Sequence, residues 1–499
     1  MRRTDAVGRL TSLWSFSGRF RILHLTWFAF FLSFVVWFNF APFASTIGRQ
    51  LGLDRTQLAT LALCNVALTV PARILIGMAL DRWGPRRVYA AILVYAFVPC
   101  TLFALATTFP TMVASRLALS VVGAGFVVGI RMVAEWFPPR EVGMAEGVYG
   151  GWGNFGSAAA AFTLPTVAAV VGGADGWRWA IGLTGVMALG YGLFYLRAVR
   201  DTPDGDAYLA PRRQGALEVT SRAGVVGLIA LQVPLVGVLA LLAWRLRLVG
   251  FLSPAAMWAA VGLLVVVLAV QVRGILRVNR PARAGAYGTD DAYPFRSVAI
   301  LSLAYAVTFG SELAVVSMLP TFFGETFGLG VVAAGAMASA FAFVNLVARP
   351  VGGLSSDLLG SRRRTLLTLL VCLAAGYGLV AVIGPSWPVA LAVLAVMACS
   401  FFVQAGEGAT YAIVPLVKRR VSGQIAGIVG AYGNVGALLY LTLLIFAGPT
   451  VFFAVIGASA LVAALACRWL PEPEGSFDSA HVRDAAEVRP IVHAAETPA

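Results

Sequence analysis

Fourteen separate apolar runs, most of them near 20 residues long, limit what this chain can fold into more than any other feature. A helix of roughly 20 residues matches the hydrocarbon thickness of a bilayer, at about 1.5 Å rise per residue. Inside lipid each backbone N–H and C=O must be satisfied within its own segment, so isolated runs of this kind span as helices. Six runs fall at 22–47, 58–80, 88–106, 111–135, 146–171 and 179–198. Two follow at 224–244 and 254–272, then six more at 297–323, 332–356, 366–384, 388–416, 424–447 and 450–470. The first run follows a basic start, as a signal peptide does, but it is long enough to cross the membrane. The expected fold class is an all-α polytopic membrane protein of two six-helix bundles with a two-helix hairpin between them.

The expected organisation is an N-terminal segment 1–21, a bundle 22–200, linkers 201–296 carrying the hairpin 224–272, a bundle 297–470 and a tail 471–499. The tail is polar and lacks an apolar period, so it is expected to be disordered. Charge supports the spans. Only 12% of residues are charged against 59% hydrophobic, whereas a soluble protein carries roughly 25% charged. The net charge of +14 does not imply nucleic acid, because the basic residues form no face outside the loops. Alternate loops at 81–87, 137–143, 200–223, 273–296, 357–364 and 417–422 hold most loop arginines and the only lysine, Lys418. The opposite loops hold Arg49, Arg55 and Arg178. By the positive-inside rule both termini are expected in the cytoplasm, in a multi-pass inner (plasma) membrane protein. The hairpin turn carries Arg245 and Arg247, which would then face outward.

The two bundles repeat one unit. Arg73, Gly77 and Asp81 return as Arg349, Gly353 and Asp357, 276 residues on. The glycine run Gly147, Gly150, Gly153, Asn154, Gly156 returns as Gly427, Gly430, Gly433, Asn434, Gly436, 280 residues on. Two motifs at nearly one offset indicate a duplication, and parallel halves with a site between them are a transporter plan. Arg73 and Arg349 each lie eight residues, roughly 12 Å, before an aspartate at the helix end, so they sit at equal depth and can meet between the halves. An arginine there costs about 2.5–3.5 kcal/mol to insert. A single one could serve only to hold helices together; a duplicated one points to a substrate.

GMALDRWGPRR at 77–87 resembles the loop signature of the major facilitator superfamily. GVYGGWGNFG and GIVGAYGNVG resemble the paired signatures of its nitrate/nitrite porter family. FFLSFVVWFNFAPF in the first span, RMVAEWFPPREVGMAEG at 131–147 and YAVTFGSELA in the first span of the second bundle fit that family too, so the resemblance covers both halves. It implies the superfamily's 6+6 helix fold, to which the central hairpin is an addition. It also implies transport of nitrate, or nitrite, with Arg73 and Arg349 binding the anion and Tyr305, Asn154 and Phe126 lining the cavity. Nitrate is planar with three acceptor oxygens, and a weakly hydrated planar guanidinium suits it better than an ammonium does. Asn434 is the counterpart of Asn154 and a further candidate donor, the alternative for both asparagines being a bond to a neighbouring helix.

Glu312 and Glu407 lie inside apolar spans, where carboxylates are costly and tend to relay protons. Two arginines and two glutamates cancel, so an arriving anion favours protonating one glutamate, which couples protons to uptake. The competing assignment pairs these glutamates structurally with Arg116 or Arg131. Asp81, Arg82, Arg86, Arg140, Asp357 and Arg362 are expected to form a gate of exposed, individually weak ion pairs. The glycines Gly147, Gly150, Gly153, Gly156, Gly427, Gly430, Gly433 and Gly436 line one helical face and allow close approach, either sliding or static.

The function expected is import of nitrate by proton symport with alternating access. The alternatives are a nitrate/nitrite antiporter and a carrier of another small anion. Nitrate or nitrite, protons and lipid are the partners, without nucleic acid, and a monomer is expected. No nucleophile, metal or cofactor motif appears: the five cysteines form no CxxC pair, and His24, His481 and His493 form no cluster. Glycine spacings like GxGxxG lie in apolar helices rather than after strands, so no enzyme is indicated.

Overall fold

A computed structural model describes residues 12–173, 175–206, 208–213, 215–286 and 292–479. Residues 1–11, 287–291 and 480–499, with His481 and His493, lie outside the described residues. All regular structure among the described residues is helical, and fourteen helices are long and apolar enough to cross a membrane. They are α1 Gly18–Leu51, α2 Arg55–Trp83, α3 Pro85–Leu105, α4 Phe109–Trp136, α5 Pro139–Val171, α6 Gly176–Ala198, α7 Arg222–Leu248, α8 Pro254–Val278, α9 Arg296–Phe327, α10 Ala333–Leu358, α11 Arg362–Ala381, α12 Val389–Leu416, α13 Arg419–Leu444 and α14 Pro449–Cys467. Large apolar side chains such as Leu102, Trp179, Val266 and Leu394 stand exposed on the outer surface, as lipid-facing residues must.

The halves meet along two seams, α2 against α13 and α5 against α10. The hairpin lies on the first seam. α7 packs on α13 and on the first part of α2, and Tyr432 Oη donates to Leu231 O at 2.8 Å. α8 packs on α7 and shows most of its length outward, burying only Met257, Ile275 and Val278.

Both arginine helices break at equivalent places. α2 is interrupted at Leu68 and α10 at Val344, five residues before Arg73 and Arg349. Each break frees the carbonyl three residues upstream, and a neighbouring side chain takes it. Trp37 Nε1 donates to Asn65 O at 2.5 Å; Ser400 Oγ and Gln404 Nε2 donate to Phe341 O at 2.7 and 3.0 Å. A side chain inserted into the helical ladder is an ordinary cause of a kink. Beyond each break, the second segment, Thr69–Trp83 or Asn345–Leu358, packs on a helix of the other half.

Both halves close at the end that carries Arg82, Arg86, Arg362, Arg363 and Arg364, the basic face. Two segments expected to be linker and tail lie along it. After α6, Asp201 accepts from Arg86 N at 2.7 Å and Tyr208 Oη donates to Leu80 O at 2.8 Å. After α14, Glu472 accepts from Arg362 N at 2.6 Å and Phe477 lies under the Arg362 guanidinium at 5.3 Å. The expectation of disorder from Pro471 is thus corrected for 471–479: one carboxylate and one aromatic ring fix a segment that composition alone reads as solvated. Burial is the larger effect on Asp201 and raises its carboxyl, against the lowering by Arg86 and Arg87.

Candidate functional site

Arg73 and Arg349 are 0% and 1% exposed in the middle of the molecule. Their guanidinium carbons lie 5.5 and 5.4 Å from the centre of the Phe126 ring, so both cations share one aromatic ring on α4. Each arginine also reaches the glycine helix of the other half. Arg73 Nη1 donates to Gly430 O on α13 at 2.5 Å, and Arg349 Nη1 to Gly150 O on α5 at 3.5 Å. Arg349 Nη2 donates to Tyr305 Oη at 3.2 Å and stands 2.5 Å from Glu407 Oε2.

Aromatic rings wall the site. Tyr305 lies parallel to Phe126 at 6.1 Å and to Phe309 at 5.1 Å. Tyr411 stands edge-on to Phe126 and Tyr305 at 4.7 and 4.8 Å. Such a box excludes water and strengthens every charge interaction inside it. Asn154 and Asn434 are buried, and among the described residues neither amide has a hydrogen-bond partner for its oxygen or its nitrogen. Each follows by four residues the glycine that contacts an arginine, so each sits about one turn, roughly 6 Å, further along that face. Buried amides without partners are costly in a packed core and suited to a polar guest.

The glycine face divides in two. A Cβ on Gly147 or Gly427 would stand 2.7 and 2.5 Å from the backbone oxygens of Arg349 and Arg73. A Cβ on Gly150 would stand 2.8 Å from Arg349 Nε, and one on Gly430 would stand 3.2 Å from Arg73 Cδ. These four glycines seat the opposite half's arginine helix. Gly153 and Gly156 instead receive Phe30 and the Phe31 carbonyl of α1, while Gly433 and Gly436 receive Phe309, Tyr305 and the Ala306 carbonyl of α9. One stripe therefore serves an inter-half contact at one end and an intra-half contact at the other.

The carboxylates are arranged differently from the structural pairing weighed for them. Arg116 donates to Asn39 Oδ1, Asn65 Oδ1 and Trp37 O, and Arg131 pairs with Glu135 at 2.8 Å. Glu407 pairs with Arg349 itself. Glu312 accepts from Asn345 Nδ2 at 2.6 Å and interacts directly with Glu407. A third buried carboxylate, Glu146, lies on α5 beside Gly147 and one turn before Gly150, the glycines that seat Arg349. Two arginines and three carboxylates, rather than two, share this region.

The expected gate of exposed ion pairs is corrected. Asp81, Asp357 and Arg362 are buried. Asp81 Oδ2 accepts from Gln424 N at 3.1 Å at the start of α13. Asp357 accepts from Gly143 N at 3.1 Å and Met144 N at 2.7 Å at the start of α5. Each aspartate therefore caps the first turn of a helix in the other half, where unpaired N–H groups and the helix dipole favour an anion. Arg362 Nη2 holds Asp357 at 2.8 Å and donates to Pro139 O at 2.7 Å. Arg82 instead lies over Trp83 on the surface, Arg140 is exposed beside Glu141, and Arg86 meets Asp201 through its backbone.

Glu146, Tyr411 and Phe309 were not singled out from sequence. Glu146 carried a signal, a carboxylate directly before a signature glycine at the edge of a span. The two aromatics carried none, since rings abound in every apolar run.

The Major Facilitator Superfamily family model matches residues 26–289 and 301–498. The nitrate/nitrite transporter NrtP of Picosynechococcus sp. is 50% identical over 95% of this chain and 96% of its own length. The NrtP of Nostoc punctiforme is 48% identical over 96% and 97%. The high affinity nitrate transporter 2.5 of Arabidopsis thaliana is 28% identical over 89% and 78%. In fold the chain is similar to the human organic anion transporter MFSD10, with TM-score 0.60 and 14% identity over 90% of this chain and 100% of that one. The proton:xylose symporter XylE gives 0.61 and 15% over 92% and 97%. With duplicated arginines, duplicated glycine–asparagine helices and relatives alike over nearly their whole length, this chain belongs to the nitrate/nitrite porter family of the major facilitator superfamily.

Proposed function

We propose that the protein imports nitrate, and nitrite, across the plasma membrane by proton symport with alternating access. The carrying observation is the pair Arg73 and Arg349, one from each half, both within 5.5 Å of the centre of the Phe126 ring. Two guanidinium forks from opposite halves suit a planar monovalent oxyanion, and the amides of Asn154 and Asn434, unpartnered among the described residues, supply further donors. The names of the NrtP relatives support the substrate.

Buried carboxylates beside Arg349 favour symport over exchange. An exchanger works with a permanently positive site, whereas Glu407 and Glu312 give this one groups that change charge. The basic face is the cytoplasmic one in this reading, which puts both termini in the cytoplasm. Helix-start capping by Asp81 and Asp357 then holds that side shut, and its rupture releases the anion inward. The protein works as a monomer, since each half supplies one arginine of the same site.

Uptake of labelled nitrate into vesicles, with an imposed inside-alkaline pH gradient and with or without internal nitrite, tests this. Symport gives uptake driven by the gradient alone. Uptake that needs internal nitrite and ignores the gradient means exchange instead.

A further inference from the structure

Glu146 is the one carboxylate near the arginines that has neither an ion pair nor an aligned donor among the described residues. It is 1% exposed, and neither Oε1 nor Oε2 has a hydrogen-bond partner. Glu407 differs, because Arg349 Nη2 stands against it, and Glu312 differs, because Asn345 donates to it. Glu146 lies four residues before Gly150, the glycine that faces the Arg349 side chain, so it sits about one turn, roughly 6 Å, nearer the basic face than that guanidinium. It lies three residues after Gly143, whose N–H is held by Asp357. Glu146 thus stands between the arginine site and the gate, on the seam of α5 with α10.

The charged and titratable groups around it are few. α10 contributes Arg349 and, at the gate, Asp357; α12 contributes Tyr411 and Glu407; α5 itself contributes Tyr149; α4 contributes Arg131 and Glu135 further toward the basic face. Among the described residues only Arg349 offers compensation to an ionised Glu146, and its Nη2 is engaged by Glu407 and Tyr305. A carboxylate so placed needs either a proton or the guanidinium to itself.

We propose that Glu146 is a proton-binding site of the transport cycle, holding a proton while the basic face is closed and releasing it there when the face opens. This rests on the proton-symport reading above. Separation of α5 from α10 breaks the Asp357 cap and admits water to Glu146. Its O–H bond then breaks, the proton passes to that water, and the bonding pair stays on the carboxylate. The new carboxylate competes with the bound anion for Arg349, so proton loss and anion release favour each other on the same side. Reprotonation accompanies the return to the closed arrangement.

The test uses the full-length protein in vesicles, in two assays run side by side. One is labelled-nitrate uptake driven by a pH gradient; the other is labelled-nitrate counterflow against unlabelled internal nitrate at equal pH. Glu146→Gln is expected to abolish stimulation by the gradient, with equal rates in its presence and absence, while counterflow persists. Glu146→Asp, which keeps a carboxyl, is expected to restore stimulation with a displaced pH profile. Gradient stimulation of wild-type size in Glu146→Gln overturns the proposal. So does an Asp variant that transports no better than the Gln variant. Absence of stimulation in the wild-type protein instead sinks symport itself, and is read from a separate arm. If Glu146→Gln does not accumulate, the Asp variant decides alone, since an unshifted pH profile overturns the assignment.

Discussion

Arg349 Nη2 stands 2.5 Å from Glu407 Oε2, with the two side chains 1% and 0% exposed. The cation proposed to hold the anion is therefore already held by a carboxylate of its own half. Removing one partner of a buried ion pair costs about 3–5 kcal/mol, since the other charge is left uncompensated. Glu407→Gln should lower thermal stability by a few kcal/mol, read as a lower unfolding temperature in detergent. Added nitrate should recover part of that loss by supplying the missing negative charge. An unchanged unfolding temperature would show that the pair bears no load.

Arg73→Lys and Arg349→Lys should each reduce nitrate uptake at least about tenfold while the protein still inserts. Lysine keeps the charge but loses the planar fork that spans Phe126 and the glycine carbonyl. Normal uptake by either well-expressed variant would remove the two-arginine clamp.

The caps across the seams should govern access from the basic face. Asp81→Asn and Asp357→Asn each weaken a charge-assisted contact with a helix start, worth about 1–2 kcal/mol. A thiol placed by Met144→Cys, at the start of α5, should then react faster with a polar reagent applied from the basic face. Equal rates with and without Asp357→Asn would mean that the cap does not hold the closed arrangement.

The two surface segments are expected to reinforce the same closure. Glu472→Ala with Phe477→Ala frees the segment after α14, and Asp201→Ala with Tyr208→Phe frees the one after α6. Either pair should raise labelling at the Met144→Cys thiol, by less than Asp357→Asn does, because the segments brace the helix ends that carry the caps. No change in labelling would make them passive coverings.

The glycines should separate by position. Gly156→Ala and Gly436→Ala place a methyl against a backbone carbonyl of α1 or α9, which cannot move aside, and should destabilise by about 1–3 kcal/mol. Gly150→Ala and Gly430→Ala press on an arginine side chain, which can shift, and should raise the apparent KM for nitrate more than they lower stability. Unfolding curves and uptake kinetics on the four variants distinguish the two effects.

The sequence made the helices legible because lipid imposes one requirement on every spanning run, length with apolar side chains. It made Arg73 and Arg349 legible because a charge in such a run is costly and this one occurs twice. Asn154 and Asn434 could be read from the repeat, but that their amides lack hydrogen-bond partners among the described residues could not. Glu146 was passed over because it begins its apolar run, where a carboxylate usually meets water; burial there comes from α10 crossing over it.

The gate shows the same division. The chain itself determined that aspartates and arginines gather at the helix ends on one side of the membrane, through composition and spacing. Tertiary structure alone decided that Asp81 and Asp357 are buried against helix starts of the opposite half, while Arg82 and Arg140 face outward. The reason is that capping depends on how two helices from different halves cross. At that crossing each arginine helix is interrupted, at Leu68 and at Val344, and glycines admit a backbone at close range, and neither feature leaves a local mark on the residues that are buried there.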